Sequence, residues 1–164
     1  MDGSYAIWGD SAEKENFPNV ARLFRAISHA EHVHATNHFS VHLNISGAFG
    51  VNSGSIFGNG TTSENLQGGI DGETFEIEEM YPVYLNTAQF QKEKSAEKSF
   101  YYALSAEKIH AAMFGKAKLA VDKGKDVEID QVCICENCGH TVEGNPPDNC
   151  PICNAARERY KIFR

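Results

Sequence analysis

Cysteine is missing from the first 132 residues, and all five cysteines fall between Cys133 and Cys153. A secreted chain spreads its cysteines to staple distant segments, so this distribution excludes a disulfide framework and points to thiols gathered around a metal. Basic residues are also short: 15 Lys and Arg stand against 22 Asp and Glu, a formal charge of -7. That deficit argues against a nonspecific grip on nucleic acid or anionic lipid, either of which needs a basic field. No apolar run approaches the roughly 20 residues of a membrane span. The start, Met1-Asp2-Gly3-Ser4-Tyr5, lacks the basic residues and apolar stretch of a secretory signal, so the cytoplasm is the expected location.

What is present is an ordinary balance of 41% hydrophobic and 23% charged residues over 164 positions, enough for a modest bundle with a small appendage. Tyr5, Trp8 and Ala12 recur at helical spacing and predict a short first helix ending near Asn16. From Phe17 to His42, Val20, Leu23, Phe24, Ile27 and Ala30 keep the same period, with Pro18 suited to the first turn of a long second helix. Residues 46–62 are rich in glycine and small polar side chains and form a long connection, in which Phe49, Ile56 and Phe57 suggest partial packing. Thr62 or Ser63 then caps a third helix through Leu66, Ile70, Ile77 and Met80, with a bend expected at Pro82. A fourth helix spans about Ser95 to Lys123, with Phe100, Ala103, Met113 and Phe114 inward and Gly124 as its stop. Four helical segments predict an all-α four-helix bundle.

After Gly124 the texture changes to the β-formers Val127, Ile129, Val132 and Ile134, with turns at Gly144-Asn145 and Pro146-Pro147. Two domains follow, 1–128 and 129–164. The second is too short to bury a core without a staple. Cys135-Glu136-Asn137-Cys138 and Cys150-Pro151-Ile152-Cys153 supply it: two Cys-x-x-Cys knuckles close a tetrahedral site around one ion. Spacing alone favours zinc over iron here, because both use this geometry. Cys133 reads as a small buried hydrophobe rather than a fifth ligand.

The body carries a second constellation. Glu31-His32-Val33-His34 on the second helix and Glu107-Lys108-Ile109-His110 on the fourth are Glu-x-x-His units. Spacing of i, i+3 sets carboxylate and imidazole on one helix face about 5 Å apart. Both pairs lie on apolar stripes, where charge is costly unless something neutralises it. Glu73 and Glu76 aim further acid inward from the third helix. A single such unit is commonplace on a solvated face, but two of them plus inward acids match the scheme of di-iron carboxylate bundles. His29, His32, His38 and His42 read as solvated or hydrogen-bonded, with His38 nearest the inner stripe, and Glu78 and Glu79 as solvated face.

These residues resemble the rubrerythrin family over nearly the whole chain. The likeness is carried by Phe17-Pro18-Asn19, Ala30-Glu31-His32-Val33-His34-Ala35, Gly72-Glu73-Thr74-Phe75-Glu76 with Met80-Tyr81-Pro82, Ala106-Glu107-Lys108-Ile109-His110 and the paired knuckles. The resemblance implies a ferritin-like di-iron bundle joined to a rubredoxin-like domain with β-rich structure, and it moves the tail metal from zinc to iron. Glu31 and Glu107 then look like bridging carboxylates, His34 and His110 like imidazole ligands, and Glu73 and Glu76 like the remaining acids. Tyr5 and Tyr81 look like tyrosines beside the ligands. The family usually has a further ligating glutamate on the first helix, upstream of the tyrosine that Tyr5 resembles. This sequence starts too late to contain it, and Asp2 lies one turn from that place.

The resemblance further implies a peroxide reductase of oxidative-stress defence, supplied with electrons by a rubredoxin or an NAD(P)H-dependent reductase. It also implies a homodimer in which one subunit's tail serves the other's bundle, the two sites of one chain being far apart, with helix exchange permitted by the long loop. The competing expectations are an oxygen-consuming iron-handling protein and a non-enzymatic helical protein with a zinc ribbon.

Overall fold

Helical spacing of apolar residues sets the body of the computed structural model, which describes residues 2–41, 45–48, 50 and 58–164. Helix α1 spans Asp2–Lys14 and α2 spans Pro18–Ser40. Asn16, at a left-handed φ of 65°, ends the first. The backbone N–H groups that open α2 are met from far along the chain: Asp126 accepts from Asn19 at 2.8 Å and Val20 at 3.3 Å. His42, Phe49, Ile56, Phe57 and the side chain of Asp2 lie outside the described residues. Next to them the chain is tied down, since the Trp8 indole N–H donates to the Gly58 carbonyl at 2.8 Å.

Helix α3 spans Thr62–Phe75. Its cap is Thr61, not Thr62 or Ser63 as the sequence suggested. Thr61 is extended and accepts from the Glu64 N–H, while the Glu64 carboxylate accepts from the Thr61 N–H at 2.8 Å. This reciprocal box needs Glu three residues after the cap, which decides for Thr61. The expected bend at Pro82 takes another form. A π-helical turn, Glu76–Met80, precedes the proline, and helix α4 continues over Tyr81–Gln91. Pro82 lacks an N–H and its ring crowds the preceding turn, and the wider π turn absorbs both defects. Lys92, at φ 61°, ends α4, and α5 runs Lys94–Val121 with Gly124 (φ 70°) just beyond it. The body is thus a bundle of α1, α2, the α3–π–α4 arm and α5. α1 packs on α2, and α5 against α2, α3 and α4.

The tail is a three-stranded antiparallel sheet, order β2-β1-β3, with β1 Val132–Cys135, β2 Thr141–Glu143 and β3 Tyr160–Phe163. All four residues of β1 are buried. Val132 and Ile134 belong to one apolar cluster with Tyr5, Trp8, Phe24, Ile27, Leu66 and Phe114 of the bundle. The stretch leading into the sheet is pinned to α2, where Arg22 donates to the Ile129 carbonyl at 2.9 Å and Asn19 to the Val127 carbonyl at 2.8 Å. Sheet and bundle therefore share a core, and the two sites of one chain are not far apart: His110 of α5 hydrogen-bonds Thr141 of β2.

At the centre of that core the Phe114 ring lies 5.2 Å from the rings of both Tyr5 and Phe24, and it is fully buried. Phe114→Ala should lower the unfolding free energy by about 3–5 kcal/mol, the usual cost of emptying such a site. Urea melts followed by helical circular dichroism check this; a loss below about 1 kcal/mol would mean that the cluster does not hold the bundle together.

Candidate metal centres

Helices α2, α3 and α5 each turn acid inward at one level of the bundle. Glu31, Glu73 and Glu107 bring carboxylate oxygens, and His110 a ring nitrogen, all within 4.8 Å of one another. None of these side chains is more than 7% exposed. The two i, i+3 units act as the spacing implied. His110 Nδ1 lies 2.8 Å from Glu107 Oε2, 3.8 Å from Glu31 Oε1 and 3.9 Å from Glu73 Oε1. His34 Nδ1 lies 3.0 Å from Glu107 Oε1 and 3.9 Å from Glu31 Oε1. Glu76 is buried at the start of the π turn. Every residue predicted for this site is thus inside the bundle, and Glu78 and Glu79 are exposed as expected.

The donor set fits a cation pair. Both oxygens of Glu107, Oε2 of Glu73, Oε2 of Glu76, Nδ1 of His110 and both ring nitrogens of His34 are buried with no hydrogen-bond partner. Several of these atoms are close to one another, as the distances show, but without hydrogen-bond alignment. Buried polar atoms left in this way are costly, and so many converging on one place marks a site that a positive ion completes.

Charge is divided unevenly over the cluster. Burial, then the charges of Glu107, Glu31 and Glu76, hold the Glu73 carboxyl well above the usual range, against a weaker opposing bond from Tyr5. Burial, with Glu31 and Glu107, pushes Glu76 up to about 9. Burial also raises Glu107, but His34 and His110 outweigh it and pull that group below the ordinary carboxylate range. Burial opposes charge on His34, yet Glu107 and Glu31 together raise its imidazole well above its usual value.

Two tyrosines border the acids. Tyr5, fully buried on α1, donates to Glu73 Oε1 at 2.7 Å. Burial and the charge of Glu73 raise its hydroxyl well above the usual range. Tyr81, at the start of α4, has its hydroxyl 3.1 Å from Nε2 of His38, whose Nδ1 lies 2.7 Å from Ser99 Oγ. Burial, then the charge on Glu107, raises Tyr81 too. His38 is therefore not one of the grouped ligands: both its ring nitrogens are engaged elsewhere, and burial, then His34, lowers its imidazole to about 4. Sequence reading placed His38 near the stripe but had no signal for Ser99, whose partner lies 61 positions away.

The second cluster is Cys135, Cys138, Cys150 and Cys153. Sγ–Sγ separations of 3.7 Å for Cys135–Cys153 and 3.5 Å for Cys138–Cys150 match the edge of a tetrahedron. That edge is about 3.8 Å for metal–sulfur bonds near 2.3 Å. Turn geometry adds electrostatic support. The Cys138 thiol, then the N–H groups of Asn137 and Cys138, lower Cys135 to about 5 despite burial. Cys133 stands apart, fully buried, and its thiol donates to the Gly144 carbonyl at 3.2 Å.

Between the clusters lies the contact that sequence reading missed. Thr141 Oγ1 is 2.8 Å from His110 Nε2 and donates to the Gly139 carbonyl at 3.1 Å. Gly139 directly follows Cys138, at φ 81°. Its missing side chain leaves room for His34: a Cβ there would lie 2.0 Å from His34 Nε2. Nothing in the local pattern of Cys138-Gly139-His140-Thr141 announces partners on α2 and α5.

Comparison with known proteins agrees with this geometry. The family model described as Rubrerythrin matches residues 3–118, and the one described as Rubrerythrin, rubredoxin-like domain, matches residues 134–161. The chain is 46% identical over 159 residues to Rubrerythrin-2 of Clostridium acetobutylicum, spanning 97% of this chain and 86% of that protein. It is 25% identical over 159 residues to Nigerythrin of Nitratidesulfovibrio vulgaris, spanning 97% of this chain and 77% of that protein. A solved structure of nigerythrin in its fully reduced state shares the fold, with a TM-score of 0.86 at 24% identity, covering 99% of this chain and 79% of that one. With a family model over most of its length and a relative this similar, the chain belongs to the rubrerythrin family, and its two clusters are a di-iron carboxylate site and a rubredoxin-like four-cysteine site.

Proposed function

We propose that the protein is a non-haem di-iron peroxidase that reduces hydrogen peroxide to water, with electrons relayed through the four-cysteine iron site, in cytoplasmic defence against oxidative stress. The observation that carries this reading is the buried cluster of orphaned acid and imidazole atoms, hydrogen-bonded through His110 to the segment that follows Cys138. In this reading the di-iron domain is residues 1–128 and the rubredoxin-like domain is residues 129–164.

Glu31, Glu73, Glu76 and Glu107, with His34 and His110, would hold the two ions. Cys135, Cys138, Cys150 and Cys153 would hold the third. When bound, the iron pair supplies Lewis acidity and the two electrons that turn hydrogen peroxide and two protons into two waters. The protein's own part is to keep the site dry and to manage protons. Burial of Glu107 and His110 excludes bulk water. Glu76, with its carboxyl near 9, and Glu73 hold protons that an incoming cation displaces. Tyr5 fixes one Glu73 oxygen by its hydrogen bond. Tyr81, joined to Ser99 through the two nitrogens of His38, offers a neutral hydrogen-bonded route for protons towards the acids.

Hydrogen peroxide and a redox protein, either a rubredoxin or an NAD(P)H-dependent reductase, are the proposed partners, with a second copy of the chain in a homodimer. No helix among the described residues is long and apolar enough to cross a membrane.

Glu107→Ala should cut peroxide turnover by more than about 100-fold while leaving the four-cysteine chromophore intact, since it removes a ligand of the bundle site and keeps all four cysteines. Anaerobic assay against peroxide checks this, and wild-type turnover would refute the assignment. A second expectation concerns pH. With the bundle metal removed, folded Glu73, Glu76 and His34 bind protons that the unfolded chain has released, and above about pH 6.5, where the opposite effect of the lowered His38 and His140 is complete, stability falls as pH rises towards 9. Urea midpoints at about pH 6.5 and pH 9 read this directly; a midpoint that rises with pH contradicts the assigned charges.

A further inference from the structure

Two imidazoles face the same acids, but their outer nitrogens are treated differently. His34 Nε2 has no hydrogen-bond partner and lies against Gly139. His110 Nε2 meets Thr141 Oγ1 at 2.8 Å, and both residues are buried, at 0% and 1% exposure. A threonine hydroxyl has one proton to give. Here it goes to the Gly139 carbonyl at 3.1 Å, so the oxygen accepts from His110 and Nε2 carries the hydrogen. The other nitrogen, Nδ1, faces Glu107, Glu31 and Glu73, where it would offer its lone pair to a cation held among those acids.

We propose that Thr141 is a positioning residue for the bundle site: its hydroxyl fixes the tautomer and direction of His110, which makes the four-cysteine unit a structural part of the neighbouring metal centre. The inference rests on the reading that the bundle residues bind metal. Its physical basis is general, because an imidazole ligand needs an acceptor on its far nitrogen to hold the ring and keep its donor free. What is particular to this chain is the source of that acceptor. It comes from β2, three residues after Cys138, and its own orientation is set by the carbonyl of Gly139 in the knuckle. Filling the four-cysteine site orders the knuckle and so the acceptor. By reciprocity, metal in the bundle favours the docked tail.

The test uses the full chain with its four-cysteine site filled. Cobalt(II) binding to the bundle is measured by chelator competition and by the metal's visible bands, in wild type, Thr141→Val and Thr141→Ser. Thr141→Val keeps the shape and removes the acceptor, and should weaken cobalt binding by about 10–100-fold. Thr141→Ser restores the hydroxyl and should bind within about threefold of wild type, well short of that loss. The four-cysteine absorption should be the same in all three. Wild-type affinity in Thr141→Val, or equal loss in Thr141→Ser, overturns the proposal while leaving the metal reading intact. Absence of cobalt binding to the wild-type bundle sinks both.

Discussion

Acid in a dry interior is the constraint on which the rest of this structure depends. Glu31, Glu73, Glu76 and Glu107 are all buried, and among the described residues His34 and His110 stand beside them as imidazoles. Placing charge in a low-dielectric interior is unfavourable by several kcal/mol per ion unless it is neutralised or paired. Without metal the cluster meets that cost by sharing protons, which is why Glu73 and Glu76 are raised while Glu107 is lowered by its imidazole neighbours. Two cations resolve the same problem differently, by taking the place of those protons. The site is therefore unfavourable for the fold alone and makes sense as a place for metal.

The surroundings serve that cluster. The aromatic packing of Tyr5, Trp8, Phe24 and Phe114 fixes α1, α2 and α5 beside the acids. Tyr5 belongs both to this packing and to the site, because its hydroxyl is bonded to Glu73. The tail closes the arrangement from the other side. β1 buries Val132 and Ile134 in the bundle's core, and this brings the knuckle of Cys138 over both histidines. A small sheet that is too short for a core of its own thus gains one from the bundle and covers the metal site in return.

Much of this was legible in the sequence because its signals are local. The i, i+3 spacing in Glu31/His34 and Glu107/His110 fixes a shared helix face whatever the tertiary structure, and the four-cysteine site follows from the knuckles alone. Gly124 and Asn16 marked helix ends because few residues tolerate their backbone geometry. What was not legible depends on partners distant in the chain. The separation expected between the two sites was wrong because nothing near Thr141 signals its contact with His110, 31 positions away. The capping of α2 by Asp126 and the pairing of His38 with Ser99 are hidden for the same reason. Pro82 in the sequence implies a bend, whereas the chain absorbs it through a π turn that single-sequence periodicity does not distinguish from a helix.

The bundle is a site for a pair of irons and the tail a site for a third. Metal content per chain, with visible spectra of anaerobically purified protein, tests it most directly. About three irons per chain and the red colour of a ferric four-thiolate site are expected. A single colourless zinc, with no metal in the bundle, would contradict it.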